Sequence, residues 1–329
     1  MRVMIIATLV ITLFAAMAFW FYNKQSKTEP DNYKLVVQKF EGNFNDEKFD
    51  AIFNMFSDGM QRHLPLDSTK AFFERVKRQS GSIVDVTLEE YRSPYAIYKT
   101  KCEKDPFTIN ISVDNDQRIS GLFIKPIMPD SVILAERNVT PMELPFKGEW
   151  TVFWGGSTKE QNRHIAVRYQ RGAFDLVITD ASGKTHKGSG EVNDDYYAFD
   201  KEIFAPCDGE IVSLTDGIQD NKPGTMNRTN LAGNSVLLKT VNNEFLLFAH
   251  FKEYTVAVKQ GQRVRQGEFI GRCGNSGNSS EPHLHFHIQN AEDIDTANGV
   301  KCYFNKLLVN GVLRTNYSPV KGDKIQQAP

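Results

Sequence analysis

Cysteine is scarce in this chain. There are four, Cys102, Cys207, Cys273 and Cys302, among 329 residues. None forms a CxxC pair, which excludes a zinc ribbon and a thioredoxin-type redox site. An even number permits disulfides outside the cytoplasm, but the spacing names no partners. The strand-like and turn-like contexts of Cys207 and Cys273 suit small buried side chains. An excess of charge is also lacking, with 39 lysines and arginines against 40 aspartates and glutamates. Such a balance gives no broad electrostatic footprint for nucleic acid. The chain contains no HExxH segment, no GxxxxGK loop and no GxSxG elbow. A helical zinc protease with a glutamate base, a phosphate-cradling loop and a serine-hydrolase elbow are therefore excluded. Internal repeats and low-complexity segments are absent too.

One long apolar run is present. After Arg2, no charge occurs from Val3 to Tyr22, about the 20 residues a helix needs to cross a bilayer. Phe19, Trp20, Phe21 and Tyr22 suit a membrane interface. Ala16 and Ala18 suit a signal-peptide cleavage site. The expectation is a signal anchor over 1–22. A cleaved signal peptide and a buried helix stay open as alternatives. Either of the first two readings sends the body of the chain across a membrane, anchored there or secreted.

The length suggests roughly two domains. A polar segment over 23–31, "NKQSKTEPD", reads as a linker. From 32 to 129 the pattern changes once. "YKLVVQKFEGNF", "EKFDAIFNMFSDGMQRHL" and "DSTKAFFERVKRQ" have helical apolar spacing, with Asp67 or Ser68 as N-cap of the last. "IVDVTLEEYR", "YAIYKTKCE", "FTINISVD" and "RISGLFIKP" alternate like strands, with "DNDQ" as a hairpin turn. Helices followed by strands predict an accessory α+β domain, its helices on a curved antiparallel sheet. This order resembles the cone-shaped fold of nuclear transport factor two and its bacterial relatives. His63 there reads as a solvated helix-end histidine. Residues 130–147 read as a second linker, because 126–147 hold four prolines and little periodicity. A β-rich domain is expected over 148–310, with a loose tail over 311–329.

Histidine is used seven times, and three of the seven lie in "SSEPHLHFHIQ" as His283, His285 and His287. On a strand, alternate residues share a face, and neutral imidazole is the commonest zinc ligand. Lone histidines are more often structural than catalytic, and alternating ones could form a polar face or a structural metal site. His164 in "NRHIAV", Asp175 in "RGAFDLV" and His250 in "LLFAHFK" supply further candidates. A histidine–aspartate–histidine set with one open position suits a catalytic zinc.

The frames around these residues resemble the lysostaphin-type zinc endopeptidases. "GNSGNSSEPHLHFHIQ" resembles their glycine-rich turn and HLHF strand. "FAPCDGEIVSL" resembles an upstream strand and turn, with Cys207 where alanine is common. "LLFAHFKEYTVAVKQGQRVRQGEFIGRCGNSG" resembles the segment between. The resemblance covers about half the chain. It implies one Zn2+ held by His164, Asp175 and His285, with His250 and His283 as catalytic residues facing the reacting water and the scissile carbonyl. Two positions depart from the family pattern. The commonest first ligand lies four residues before the aspartate, where this chain has Arg171. His164 lies eleven before it, a longer spacing that some branches use, with His186 as the fallback. His287 replaces a usual glutamate, either as a partner of a ligand or as a satisfied neighbour.

The expectation is a zinc metalloendopeptidase acting on stem or cross-link peptides of cell-wall peptidoglycan. Three alternatives stay open: a catalytically silent regulator of other wall hydrolases, a peptidoglycan-binding module with a structural metal, and an endopeptidase for a secreted protein. Neither a nucleic-acid partner nor an oligomeric state is implied.

Overall fold

Five apolar side chains recur along the first helix at intervals of three and four, and they build one side of the first core. In the computed structural model, which describes residues 28–134, 136–227 and 229–329, α1 spans Asp31–Asn45. It buries Tyr33, Val36, Val37, Phe40 and Phe44, the stripe expected of a helix packed on one face. The helices α2 (Phe49–Asn54), α3 (Asp58–His63) and α4 (Leu66–Ser80) follow. An antiparallel meander then runs through β1 (Ile83–Arg92), β2 (Tyr95–Cys102), β3 (Phe107–Val113) and β4 (Ile119–Pro126) in that order. The Asp114 carboxylate ties the β3–β4 turn by accepting from the amides of Asp116 and Arg118. The expected anchor over 1–22 lies outside the described residues. Among the described residues, no helix is long and apolar enough to cross a membrane.

Two local expectations change. The apolar pattern of "EKFDAIFNMFSDGMQRHL" is split between α2 and α3. The break lies where Phe56 bridges Ile119 on β4: the Ser57 amide donates to the Ile119 carbonyl, and the Ile119 amide to the Met55 carbonyl, both at 2.8 Å. Sheet hydrogen bonds replace helical ones there. The last helix starts at Leu66, two or three residues earlier than Asp67 or Ser68 as cap would require. Pro65 occupies the capping position and Asp67 lies inside the first turn, where a carboxylate suits the positive helix end.

The chain divides into two units, the second being Met128–Pro329. Its strands are β5 (Glu149–Trp154), β6 (Phe174–Val177), β7 (Glu202–Phe204), β8 (Gly209–Thr215) and β9 (Asn234–Lys239). β10 (Phe245–Phe251), β11 (Arg263–Val264), β12 (Phe269–Arg272) and β13 (Leu284–Gln289) come next. β14 (Gly299–Val300), β15 (Phe304–Val309), β16 (Val312–Tyr317) and β17 (Lys324–Gln327) close the chain. One antiparallel sheet has the order β11-β8-β9-β10-β13-β6-β5-β17-β15-β16, with β14 also on β13; β12 pairs with β7 separately. All six residues of β13 are buried. Its Phe286 packs with Phe248 and Phe304 in the core.

The segment 130–147 does more than connect. Met142, Leu144 and Phe146 join the second core, alternating along an extended stretch too short to declare a period. The buried Glu244 carboxylate holds it by accepting from the amides of Val139 and Thr140. Residues 311–329 are likewise no loose tail. β16 and β17 extend the sheet, and Ile325 is fully buried against Trp150 on β5. The side chains of "VLRTNY" are mostly exposed, so backbone pairing holds most of that edge strand, with Tyr317 at its end packed on the core and bonded to Asp323.

Phe44 anchors the first core through ring contacts with Phe40, Phe49, Phe73 and Phe107. Phe44→Ala is expected to destabilise this unit by about 3–5 kcal/mol. Urea denaturation followed by hydrogen exchange in α1 checks it; unchanged protection there would show that Phe44 is not a core anchor.

Candidate metal centre

β13 is the inner wall of the site. It pairs with β6 so that His285 stands directly opposite Asp175. On its other side Ala249 of β10 faces His285, and His250 follows one residue on. Opposite residues of an antiparallel pair share a face, so the register alone brings the histidine run to the carboxylate. His164 comes from a single 3-10 turn, Arg163–Ala166, in the loop between β5 and β6. One ligand atom each from His164, Asp175 and His285 lies within 4.8 Å of the others, and all three residues are buried. His164 Nε2 is 3.4 Å from Asp175 Oδ2, and His285 Nδ1 is 2.9 Å from Asp175 Oδ1. Tetrahedral zinc with bonds of about 2.0–2.2 Å holds its ligand atoms about 3.3 Å apart. The donor set and its spacing fit such an ion.

Hydrogen bonds on the far side of each ring decide which nitrogen faces inward. Asn162 is fully buried, and its amide nitrogen donates to the carbonyls of Gly156 and Ala173. Its Oδ1 therefore accepts, taking the Nδ1–H of His164 at 2.9 Å and leaving Nε2 toward Asp175. His250 donates Nδ1–H to the Ser276 carbonyl at 2.8 Å, and His283 donates Nδ1–H to the Glu281 carbonyl at 2.8 Å. Their rings lie 4.8 Å apart. His283 Nε2 is buried without a hydrogen bond, 3.4 Å from Asp175 Oδ1. Two imidazole Nε2 atoms thus open onto the same carboxylate-lined space.

Charge follows burial. Burial pushes His164 down to about 3, against the attraction of Asp175. Burial, then the neighbouring His283 and His285, hold His250 well below the ordinary histidine range. For His283 burial is the largest influence and opposes protonation, but the Asp175 carboxylate and the Glu281 carbonyl together outweigh it and raise the pKa. Burial opposes ionisation of Asp175, yet the surrounding imidazoles hold it well below the usual carboxylate range. The Arg163 guanidinium also reaches Asp175 Oδ2, at 3.2 Å.

The remaining histidines stand elsewhere. His186, the fallback ligand, lies outside the three-residue cluster, with its ring on Tyr196. His63 is exposed at the end of α3, as the sequence implies. His287 is fully buried and bonded to His285, and burial brings it down to about 3. The sequence did not single out Asn162, Arg163 or Gln289. Gln289 had a signal: it continues the alternation of 283, 285 and 287. Asn162 and Arg163 had none beyond lying beside His164.

His250 sits at a β-bulge. The β10–β9 register slips between Phe248 and Phe251, and His250 has φ +66°. A bulge re-aims one side chain, here turning the imidazole into the site while its amide donates to the Ala232 carbonyl at 3.0 Å. Left-handed backbone costs an ordinary residue about 1–2 kcal/mol and glycine almost nothing. His250→Gly is therefore expected to be more stable than His250→Ala by roughly 1 kcal/mol, read as urea midpoints. Equal midpoints would show that the bulge relaxes once the imidazole is gone.

Peptidase family M23 matches residues 195–296, and a family described as a protein of unknown function matches residues 37–122. The cell division protein DipM of Caulobacter vibrioides is 32% identical over 108 residues, 33% of this chain and 16% of that protein. The peptidoglycan DD-endopeptidase ShyA of Vibrio cholerae is 37% identical over 57 residues, 17% of this chain and 13% of that protein. The matched stretches are thus less than a fifth of either relative. The catalytic domain of lysostaphin from Staphylococcus simulans aligns at 19% identity over 49% of this chain and 86% of that one, with a TM-score of 0.26. Within the C-terminal half of this chain, residues 195–296 thus match peptidase family M23.

Proposed function

We propose that this protein is a zinc-dependent endopeptidase of cell-wall peptidoglycan. The observation that carries the reading is the buried cluster of His164, Asp175 and His285, faced by the inward Nε2 atoms of His250 and His283. His164, Asp175 and His285 would hold the ion. Bound there, zinc would lower the pKa of a water toward about 7 and polarise a carbonyl oxygen.

The chain's own residues supply the rest of the chemistry. His250 and His283 hold their Nδ1 protons on backbone carbonyls, so each ring turns its Nε2 toward the site. One takes a proton from the attacking water. The other, protonated, donates to the oxyanion that develops on the scissile carbonyl. Burial excludes bulk water from both rings and strengthens these interactions.

Peptidoglycan is supported by the family and by the DD-endopeptidase among the relatives. The bond cleaved would lie in a stem or cross-link peptide. A peptidoglycan substrate requires the body of the protein outside the cytoplasm, and the uncharged run over 1–22 would anchor it at the membrane. The first unit would position or regulate the peptidase.

The purified protein is expected to hold one zinc per chain by elemental analysis. It should release zinc-dependent peptide fragments from sacculi, identified by mass spectrometry. His285→Ala and Asp175→Ala should lose both the metal and the fragments. His250→Ala should keep the metal and lose about 10²–10⁴-fold in kcat. Intact sacculi with folded, zinc-loaded protein would refute the peptidoglycan reading. A secreted-protein substrate or a regulatory role would then stand in its place.

A further inference from the structure

His285 offers one ring nitrogen to the metal site, and the other continues into a buried relay. The Gln289 amide nitrogen donates to the carbonyls of Ala291 at 2.7 Å and Glu292 at 3.1 Å. That fixes the amide, so Gln289 Oε1 faces His287 and can only accept. His287 Nε2, 3.0 Å away, must be the donor. A neutral imidazole carries one N–H, so His287 Nδ1 is a lone pair. It accepts from His285 Nε2 at 2.9 Å. His285 then has its proton on Nε2 and a lone pair on Nδ1, the atom facing Asp175 Oδ1.

Reversing the relay would turn Gln289 Oε1 against two carbonyl oxygens. His287 and Gln289 are 0% and 1% exposed, so no bulk water could relieve that contact. Tyr169, whose ring lies 5.8 Å from that of His287, closes the relay on one side. With the relay in its observed sense, a lone pair of His285 meets a carboxylate oxygen at 2.9 Å. That contact becomes favourable when a positive charge lies between the two atoms, either a metal ion or a second proton on His285.

We propose that His287 and Gln289 are positioning residues, a polar relay that holds His285 in the Nδ1-ligating tautomer and so sets the affinity of the site for a divalent metal. The inference rests on the metal-site reading above and extends it beyond the ligands. Outer partners of a ligating histidine are worth about 10–100-fold in metal affinity, and here two residues in series supply that support.

The test is the zinc dissociation constant of the whole protein, measured by competition with a fluorescent chelator. His287→Leu fills the same buried space but cannot accept, and should bind zinc about 10–100-fold more weakly. His287→Gln can accept from His285 and donate to Gln289, and should bind close to wild type. Gln289→Leu should weaken binding in the same direction as His287→Leu. In zinc-loaded protein labelled with nitrogen-15, the imidazole proton of His285 should sit on Nε2. His287→Gln as weak as His287→Leu would overturn the relay, because packing alone would then explain the loss. Wild-type affinity in His287→Leu would overturn it as well. If His287→Leu does not fold, Gln289→Leu decides: wild-type affinity there sinks the proposal. A wild-type protein that binds no zinc would instead refute the metal site itself, and the relay with it.

Discussion

The Asp175 carboxylate, 2% exposed, is the group on which the second unit is organised. An ionised carboxylate is costly to bury unless charge and hydrogen bonds compensate it. Around it stand His164, His283 and His285, with Arg163 at the rim. Removing any one of them leaves the carboxylate less compensated, so the β5–β6 loop, the β10–β13 wall and the turn before β13 are tied to one another. The second tier has the same logic. Asn162 and Gln289 are amides whose NH2 groups are fixed on backbone carbonyls, and each presents an oxygen that decides where a histidine proton sits.

Backbone approach makes this arrangement possible. Gly274 packs on the backbone of Lys252, and a Cβ there would lie 2.3 Å from Lys252 Cα. That contact brings the glycine-rich turn under His250, whose carbonyl accepts from the Gly274 amide at 3.0 Å. Gly299 is closer still: a Cβ would lie 2.0 Å from the Arg171 carbonyl oxygen. Arg171 stands four residues before Asp175, where the commonest family pattern has a ligand. Its side chain donates to the Ile165 carbonyl instead, bracing the loop that carries His164. The longer His-to-Asp spacing thus comes with a dedicated strut.

Much of the fold was legible wherever one face of an element is buried. The β1–β4 meander follows its alternating sequence, and the α1 stripe follows the helical interval. Legibility failed where tertiary hydrogen bonds overrode a local pattern. Phe56 and Ser57 left the helix for β4, and the exposed β16 was held by backbone pairing that no side-chain pattern announces. The segment 130–147 was hidden for a different reason, since its three core residues alternate over too short a stretch to stand out from its prolines.

By itself the sequence determined the candidates: which histidines and which aspartate, and that His283, His285 and His287 share a strand face, because a period of two needs no partner. It ranked His164 above His186, which lie 11 residues before and 11 after Asp175, only on a longer spacing that some branches of the resembled family use. The tertiary structure adds the geometry behind that ranking. A single 3-10 turn capped by Asn162 delivers His164 to the carboxylate, while His186 packs on Tyr196. The proton positions on the rings were beyond the sequence. They depend on which acceptor lies behind each imidazole, and those acceptors are Asn162, Ser276, Glu281 and the His287–Gln289 pair, up to 26 residues from the ring they serve.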